Sequence, residues 1–185
     1  AEQIAANTRA LQSALALADR ISTDAVAGMH RVLMETQPRH TPGEYRTEQV
    51  WIGRRSDSPV GAEFVPPHHL RVEALMDDLM VFVERWDLPG LVSVAIAHAQ
   101  FETIHPYTDG NGRTGRALAQ AMLKHRGVTQ NVSVPVSAGL LADVEGYHRA
   151  LTAYRAGDIE PIIDAFVAAS FRAVENSRQL IADID

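Results

Sequence analysis

The chain has 185 residues, of which 46% are hydrophobic, contains no cysteine and carries a formal net charge of −6. This length is enough for one domain with a sizeable core. The absence of cysteine excludes disulfides, thiolate zinc sites and a cysteine nucleophile. Charges of both signs are mixed along the chain, which argues against the clustered Lys and Arg of a broad nucleic-acid-binding face.

Targeting and membrane signals are missing from the sequence. No apolar run reaches the roughly 18 residues of a membrane span, and the longest candidate, residues 88–101, contains a histidine. The opening residues, AEQIAANTRA, lack the basic and then apolar pattern of a signal peptide. We therefore expect a cytoplasmic protein without membrane contact. The chain does not begin with Met, so we also expect a processed form or a fragment of a longer protein.

The first third of the chain combines helical and extended patterns. Apolar spacing predicts an N-terminal helix over residues 2–18, and Ser22 or Thr23 is placed to cap a second helix that runs to about Met34. Residues 36–67 are rich in proline and glycine, which predicts a loop. Within it, β-type residues predict a small hairpin over about 47–65, with strands at about 47–52 and 62–65.

Helical patterns dominate after Pro67. Four residues at helical spacing predict one apolar stripe: Leu75, Leu79, Phe82 and Trp86. Residues 90–104 are apolar on most faces, which predicts a buried, central helix.

The last third is also mostly helical. A helix is expected from about Gly112 to Arg126, ended by Gly127 as a C-cap residue. Residues 131–137 are expected to be extended. Two further helices are expected at about 138–156 and 159–183, with Pro161 in the first turn of the second. The patterns together predict a single all-α domain over residues 1–185 with a small β-hairpin.

The stretch HPYTDGNGRTGR, residues 105–116, has the composition of an anion site. Its glycines allow backbone N–H groups to turn inward, and the following helix directs its positive end to the same place. Arg113 and Arg116 lie three residues apart and so share a helix face. Gly115, between them, is expected to leave room for a ligand. This arrangement predicts a site for several phosphates in a row.

Three polar side chains in this stretch add chemistry to the anion site. A carboxylate beside phosphates is unfavourable on charge alone. Asp109 is therefore expected to hold a Mg²⁺ ion, which takes one or two carboxylates together with phosphate oxygens. Asn111 can donate its amide to a phosphate oxygen. His105, at the end of the buried helix, can take a proton from a hydroxyl when its imidazole is neutral. The set predicts a metal–nucleotide site with a base at one end.

The same stretch resembles the signature of the Fic family, His-Pro-Phe-x-(Asp/Glu)-Gly-Asn-Gly-Arg-x-x-Arg. Tyr107 stands where the family usually has Phe. The resemblance covers about residues 25–172, and the segments that carry it outside the motif are AHAQFETIHPY, GEYRTEQVWIG, GYHRAL and GDIEPIIDAF. It implies the all-α Fic fold, a helical bundle with a β-hairpin flap, which agrees with the predicted elements.

The resemblance also implies an activity: protein adenylyltransferases of this family transfer AMP from ATP to a Ser, Thr or Tyr hydroxyl of a target protein and release pyrophosphate. His105 would be the general base and Asp109 the Mg²⁺ ligand. Asn111 and the N–H groups of Gly110 and Gly112 would hold the α-phosphate.

Further roles follow from the same resemblance. Arg113 would bind nearer the β-phosphate and Arg116 the γ-phosphate. Tyr147 would lie near the adenine, where His148 replaces the second of two family tyrosines. The flap residues that would clamp an extended target segment are Val50 and Ile52. We interpret His98 as a structural hydrogen-bonding residue.

Regulation in this family often depends on an inhibitory motif, (Ser/Thr)-x-x-x-Glu-(Gly/Asn), which the chain lacks. The opening segment AEQIAANTRAL resembles the residues that follow this motif in some members, so the motif is expected upstream. Family members often form dimers, and a homodimer is therefore a further expectation.

Several alternatives remain open from the sequence. They are removal of AMP from a modified protein by the full-length form, transfer of another nucleotide or of a phosphate group, and a nucleotide-binding regulatory module without catalysis. A metal-dependent hydrolase built on His98, His105 and Asp109 is a further alternative, although their spacings match no common zinc motif. The sequence does not identify the target protein.

Overall fold

The structure, a computed structural model, describes residues 20–53, 55, 58–129 and 136–182. The N-terminal helix expected over residues 2–18 and most of the extended segment expected over 131–137 lie outside these ranges. Within them, no helix combines the length and the apolar character that crossing a membrane takes.

The described residues form α-helices joined by loops and 3₁₀ turns, which confirms the all-α prediction. The 3₁₀ turns are Pro38–His40 and His69–Arg71. The helices, in chain order, are α1 (Thr23–Leu33), α2 (Val72–Val83), α3 (Gly90–Ile104), α4 (Asn111–His125), α5 (Val136–Leu141), α6 (Val144–Arg155) and α7 (Glu160–Ala182).

Helix α3 is the centre of the bundle. It is buried on nearly every face and packs against α2, α4, α6 and α7. The prediction of a buried central helix is therefore confirmed. Because the core surrounds α3, the position of its C-terminal end at Ile104 is fixed, and so is the start of the loop that follows.

Helix α1 begins and packs as its sequence predicts. Ser22 is the N-cap, and its hydroxyl accepts a hydrogen bond from the Ala25 N–H at 3.2 Å, which satisfies one of the free donors at the start of the helix. The helix packs against α4. This contact brings His30 and the C-cap residue Met34 to the loop between α3 and α4.

Among the described residues, the predicted hairpin is reduced to one antiparallel bridge between Ile52 and Phe64. The Ile52 N–H donates to the Phe64 carbonyl at 2.8 Å, and the Glu63 N–H donates to the Ile52 carbonyl at 2.8 Å. The ladder does not continue because Pro66 and Pro67 follow, and proline has no N–H to donate. A side chain takes over instead, since Gln49 Nε2 donates to the Pro66 carbonyl at 2.8 Å.

The helix expected over 138–156 is in fact two helices, α5 and α6. Asp143 interrupts it by capping α6, with its Oδ1 accepting a hydrogen bond from the Gly146 N–H at 2.8 Å. Residues 136–137, expected to be extended, already belong to α5. The sequence pattern missed the break because both helices present apolar residues to α7.

The predicted apolar stripe of α2 is confirmed except at its last residue. Leu79 is buried, and Leu75 and Phe82 pack against the core, but Trp86 lies beyond the helix and is 64% exposed. It packs instead beside the guanidinium of Arg126, whose central carbon is 5.1 Å from its ring centroid.

Candidate active site

His105 terminates α3 in an unusual backbone conformation. Its φ of 50° and ψ of 62° lie in the left-handed region, and its N–H still donates to the Phe101 carbonyl at 2.9 Å. A residue with a Cβ adopts this conformation at a cost that the surrounding structure must offset. The chain therefore turns sharply at the residue that the motif places as the base.

The environment of His105 keeps its imidazole neutral. Burial lowers its pKa to about 4, and the positive charges of Arg46 and Arg155 act in the same direction. The main chain of Glu102 and the charge of Asp109 oppose this shift without cancelling it. At neutral pH the ring can therefore accept a proton, as a general base must.

Asn111 holds the motif loop closed. Its side chain is 2% exposed, and its Nδ2 donates to the Tyr107 carbonyl at 2.8 Å while its Oδ1 accepts from the Tyr107 N–H at 2.9 Å. Both polar atoms of the amide thus bind the loop backbone. The predicted contact of Asn111 with a phosphate stays a prediction.

His30 braces the same loop from α1, and the sequence analysis missed it. Its ring stacks on Tyr107 with centroids 3.7 Å apart. Nδ1 accepts a hydrogen bond from the Gly43 N–H at 2.8 Å, so the proton lies on Nε2, which donates to the Asp109 carbonyl at 3.0 Å. Burial lowers the pKa of His30 to about 4. The signal in the sequence was a histidine on the apolar face of a helix.

Glycine is required at positions 110 and 115 for different structural reasons. Gly110 has a φ of 78°, and a Cβ there would lie 2.9 Å from Met34 Sδ. A Cβ on Gly115 would lie 2.6 Å from Glu102 Oε1 and 2.9 Å from Phe101 Cδ1. The expectation that Gly115 makes room for a ligand is therefore wrong, because it lets α3 and α4 approach each other.

Asp109 lies at the mouth of the loop with its carboxylate partly exposed. Its Oδ1 accepts a hydrogen bond from the Gly110 N–H at 2.6 Å and lies 3.6 Å from Arg113 Nη2. His40 approaches from the other side, with Nε2 at 3.8 Å from Oδ2. A carboxylate in this position suits Mg²⁺, whose other ligands would be phosphate oxygens and water.

Within the described ranges, no group of three or more His, Cys, Asp or Glu side chains could hold a metal ion. His98, moreover, hydrogen-bonds through Nε2 to the Tyr147 hydroxyl at 2.7 Å inside the core. The interpretation of His98 as a structural residue is confirmed. The described residues give no support to a hydrolase metal centre at His98, His105 and Asp109.

Two adjoining cavities meet at His105. The motif cavity, of about 320 Å³, is lined by His105, Thr108, Asp109, Gly110, Asn111, Gly112, Arg113 and Arg116. The flap cavity, of about 450 Å³, shares His105, Gly112 and Arg116 with it. Its remaining walls come from the flap and from α3 and α6, and include Trp51, Ile52, Glu102, Tyr147, Leu151 and Arg155.

The two cavities differ in character. The motif cavity combines two arginines with the N-terminal N–H groups of α4, which have no acceptor within the helix. The flap cavity adds aromatic and aliphatic walls. The pair can therefore hold an anionic chain joined to a larger, flatter group, with His105 at the junction.

The flap residues Val50 and Ile52 line different spaces. Ile52 lines the flap cavity. Val50 lines an outer groove of about 500 Å³, formed with Glu48, Gln49, Trp51, Gly53, Arg55 and Thr108. The structure thus brings Ile52, and not Val50, to the cavity that His105 also lines.

Arg46 joins the flap to the C-terminal end of α3, and the sequence analysis did not single it out. The side chain is buried, and in the described contacts it donates to four main-chain oxygens: Nε to His105 at 2.9 Å, Nη1 to Glu48 at 2.9 Å, and Nη2 to Pro67 and, at 3.5 Å, to Ile104. Its own N–H donates to the Pro106 carbonyl at 2.9 Å. The last carbonyl groups of a helix carry partial negative charge, which favours a guanidinium there. No short-range pattern distinguishes this arginine from an exposed one.

Comparison with known proteins places the chain among relatives named for AMP transfer. Protein adenylyltransferase fic-1 of Caenorhabditis elegans is 31% identical over 147 residues, which cover 78% of this chain and 26% of the relative. Protein adenylyltransferase Fic of Nematostella vectensis is 29% identical over 161 residues, which cover 85% of this chain and 34% of the relative. The chain therefore spans about a quarter to a third of the length of these relatives.

Solved structures share the fold. A Fic family protein from Desulfovibrio desulfuricans G20 superposes with a TM-score of 0.77 at 26% identity, covering 94% of this chain and 53% of that one. A Fic domain containing signaling protein from Bacteroides thetaiotaomicron gives a TM-score of 0.75 at 18% identity, covering 94% of this chain and 69% of that one, and supports the fold alone. The family model described as Fic/DOC matches residues 20–123, more than half of the chain. This chain belongs to the Fic/DOC family.

Proposed function

We propose that this chain transfers AMP from ATP to a Ser, Thr or Tyr hydroxyl of a target protein and releases pyrophosphate. The observation that carries the proposal is the neutral imidazole of His105 at the junction of the two cavities, which it lines together with Gly112 and Arg116 of α4. The names of the relatives support the same reaction.

His105 acts as the general base of the reaction. Its imidazole takes the proton from the target hydroxyl, whose oxygen attacks the α-phosphorus. The bond between the α-phosphorus and the bridging oxygen to the β-phosphate breaks, and pyrophosphate leaves with that oxygen. Positioning and charge stabilisation supply most of the rate in reactions of this type.

The phosphates occupy the motif cavity. N–H groups of Gly110, Asn111 and Gly112 hold the α-phosphate at the positive end of α4. Arg113 binds nearer the β-phosphate and Arg116 the γ-phosphate, as charge-assisted donors. The amide of Asn111 contributes mainly by fixing the loop, because it already binds Tyr107.

Asp109 is the residue that would hold Mg²⁺ on the α- and β-phosphates. Its partly exposed carboxylate is an oxygen ligand of the kind that this ion prefers. When bound, the ion neutralises phosphate charge. Arg113, 3.6 Å from Asp109, would keep the carboxylate oriented.

The target protein docks along the flap. An extended segment of the target would lie in the outer groove beside Val50, and Ile52 would close the flap cavity behind the nucleotide. Such a segment would be held mainly by backbone hydrogen bonds to the flap, which give little specificity for its sequence. We further propose a homodimer, as the family resemblance implies, together with a cytoplasmic location. Tyr147, which lines the flap cavity, is proposed to contact the adenosine.

The test uses ATP labelled at the α-phosphorus, with Mg²⁺ and a cell lysate. We expect label on a lysate protein or on the chain itself, and we expect His105→Ala to abolish it. His68→Ala, at an exposed histidine outside both cavities, is the matched control and should label as the wild type does. Labelling that survives His105→Ala would contradict the assignment of the base.

A further inference from the structure

Arg155, at the end of α6, connects the flap to the helix that ends at His105. Its guanidinium carbon lies 3.8 Å from the ring centroid of Phe64 in the flap. In addition, its Nη2 donates to the main-chain oxygen of Glu102 at 3.5 Å. Glu102 belongs to the last turn of α3, whose C-cap is His105. One side chain therefore touches both the flap and the end of α3.

The contact between Arg155 and Phe64 is a close cation–π pair. A guanidinium stays charged in proteins and stacks on aromatic faces. Two other arginine–ring contacts among the described residues are longer, at 5.1 Å for Trp86 and 5.6 Å for Phe82. Arg155 and Phe64 are both half-buried, and such a pair is stronger when water is partly excluded from it. Of the three contacts, this one is expected to contribute most to holding its partners together.

Phe64 also fixes the backbone of the facing flap strand. Its carbonyl accepts a hydrogen bond from the Ile52 N–H at 2.8 Å, and its own N–H donates to the Ile52 carbonyl at 3.2 Å. Trp51 and Gly53, on either side of Ile52, line both the flap cavity and the outer groove. The place of the Phe64 ring therefore determines where the boundary between these two spaces lies.

Arg155 and Arg46 hold different parts of the flap. Arg46 binds the Glu48 and Pro67 carbonyls, near the two ends of the flap. Arg155 instead contacts the paired strands between those ends, through Phe64. Arg46 therefore fixes where the flap begins and ends, and Arg155 sets how close its strands lie to α3.

We infer that Arg155 is a positioning residue for the transfer reaction: through the ring of Phe64 it holds the flap against α3, so that a target segment in the outer groove presents its hydroxyl to His105. The inference rests on the proposed function, because the position of the flap affects transfer only if the target docks along it. A target on a displaced flap would hold its hydroxyl away from the imidazole, and small displacements of reacting groups lower the rate.

Phe64 is the residue at which the inference can be tested without changing the walls of the site. Within the described residues, it is not part of the lining of either cavity or of the outer groove, whereas Arg155 lines the flap cavity. Phe64→Leu keeps an apolar side chain and the backbone bridge but removes the aromatic face. Phe64→Tyr keeps that face and should therefore keep the contact.

The experiment measures amide hydrogen exchange over residues 47–65 of the full chain by mass spectrometry. Phe64→Leu should speed exchange in this segment by about tenfold, because the flap opens more often, and Phe64→Tyr should stay within about twofold of the wild type. In parallel, transfer of the α-phosphorus label to a lysate protein should fall a few-fold in Phe64→Leu and not in Phe64→Tyr. The dissociation constant of ATP with Mg²⁺, measured by calorimetry, should change much less than transfer, because the motif loop and α4 hold the phosphates in the proposed mechanism.

A double-mutant cycle assigns the effect to the contact itself. Arg155→Met removes the guanidinium and keeps a long apolar stem, so Phe64→Leu should have little further effect on flap exchange in that background. The matched control is Phe171→Leu, the same substitution at a phenylalanine that is 74% exposed on α7, and it should leave flap exchange, ATP binding and transfer unchanged. Melting temperatures show whether each variant keeps the fold. If Arg155→Met does not fold, the comparison of Phe64→Leu with Phe64→Tyr decides the inference.

Several results would overturn the inference, and they differ from failure of the proposed function. Flap exchange at the wild-type rate in Phe64→Leu, or as fast in Phe64→Tyr as in Phe64→Leu, would show that the aromatic face does not hold the flap. An equal effect of Phe64→Leu with and without the Arg155 guanidinium would show that the two groups are not coupled. Faster flap exchange without any loss of transfer would show that the position of the flap does not govern the reaction. If flap exchange responds as expected but the wild type transfers no label, the contact between Arg155 and Phe64 is supported and the proposed function fails.

Discussion

The motif loop and the flap face each other across His105, but they are held by different kinds of bonds. The loop is fixed by buried side chains that bind main-chain atoms: Asn111 closes it on Tyr107, and His30 holds the Asp109 carbonyl. The described flap residues are held by one bridge, by Gln49 on Pro66, and by Phe64 under Arg155.

This difference shows how the two regions divide their tasks. Buried polar groups bound on both sides give the loop a single geometry before any ligand arrives, which is what charge stabilisation of phosphates requires. The single bridge leaves the described flap residues with few backbone hydrogen bonds to one another, as the proposed pairing with an extended segment of another protein requires. Arg46 is the group that joins the regions.

The largest expected effect is at His105, where the two regions meet. His105→Ala should lower AMP transfer by about 10²- to 10⁴-fold, because the variant lacks the imidazole that takes the hydroxyl proton in the proposed mechanism. The measurements are the initial rate of AMP transfer and, by calorimetry, the dissociation constant of ATP. Binding should be nearly unchanged, and an equal loss of binding and rate would mean that the residue serves the nucleotide rather than the chemistry.

The second effect tests the link between the regions. Arg46→Met removes the donors of four main-chain carbonyls and should lower the free energy of unfolding by about 2–4 kcal/mol. Denaturant unfolding measures it. The control is Arg85→Met, an exposed arginine that pairs with Asp87 and lies over the ring of Phe82, and it should unfold close to the wild type because exposed ion pairs contribute little. A loss at Arg46 no larger than at Arg85 would show that the two regions are held independently.

The third effect tests how the loop is held, through its dependence on pH. The pKa values of His30, His98 and His105 are each lowered to about 4 in the folded state. An unfolded histidine binds a proton at about pH 6.5, so between pH 6.5 and 4 the unfolded state takes up protons that the folded state refuses. Stability should therefore fall as the pH drops through this window.

Glu102 acts in the opposite direction, because its folded-state pKa is raised to about 7 and its stabilising contribution is lost as the pH rises. Unfolding curves at several pH values measure the balance. His30→Phe keeps a ring against Tyr107 and removes one titrating group, so its curve should be flatter than that of the wild type. A wild-type curve without slope below pH 6.5 would contradict the buried, neutral histidines.

The smallest effect is expected in the flap. Val50→Ala shortens a side chain in the outer groove and should raise the KM for the target protein a few-fold, about 1 kcal/mol or less, with kcat unchanged. Val60→Ala, at a residue that is 74% exposed and outside the groove, is the control. A fall in kcat without a change in KM would mean that Val50 supports the loop instead of the target.

The motif loop was the part of the site that the sequence predicted best, because its residues are consecutive and their types are chemically restrictive. The residues that hold it could not be assigned in the same way. His30 and Asp109 are 79 positions apart, and Arg46 and His105 are 59 positions apart. Such pairs become neighbours only when α1 and the flap segment pack on the end of α3.

The errors in the fold have similar physical causes. Asp143 breaks a helix with one hydrogen bond that the apolar pattern does not register. Trp86 continues the spacing of α2 beyond its end at Val83. The position of Gly115 between two arginines predicts room for a ligand, although the neighbour of this residue is Glu102 on α3. At Trp86 and Gly115 a contact with another element outweighs the local pattern, whereas at Asp143 a local helix cap does.

The most direct test of the central claim compares ATP labelled at the α-phosphorus with ATP labelled at the γ-phosphorus, in parallel reactions with Mg²⁺ and the lysate. The account predicts that the α-label becomes attached to protein in a reaction that requires His105, and that the γ-label leaves with pyrophosphate. Retention of the γ-label on the protein, without the α-label, would show that the motif loop transfers a phosphate instead of AMP and would contradict the account.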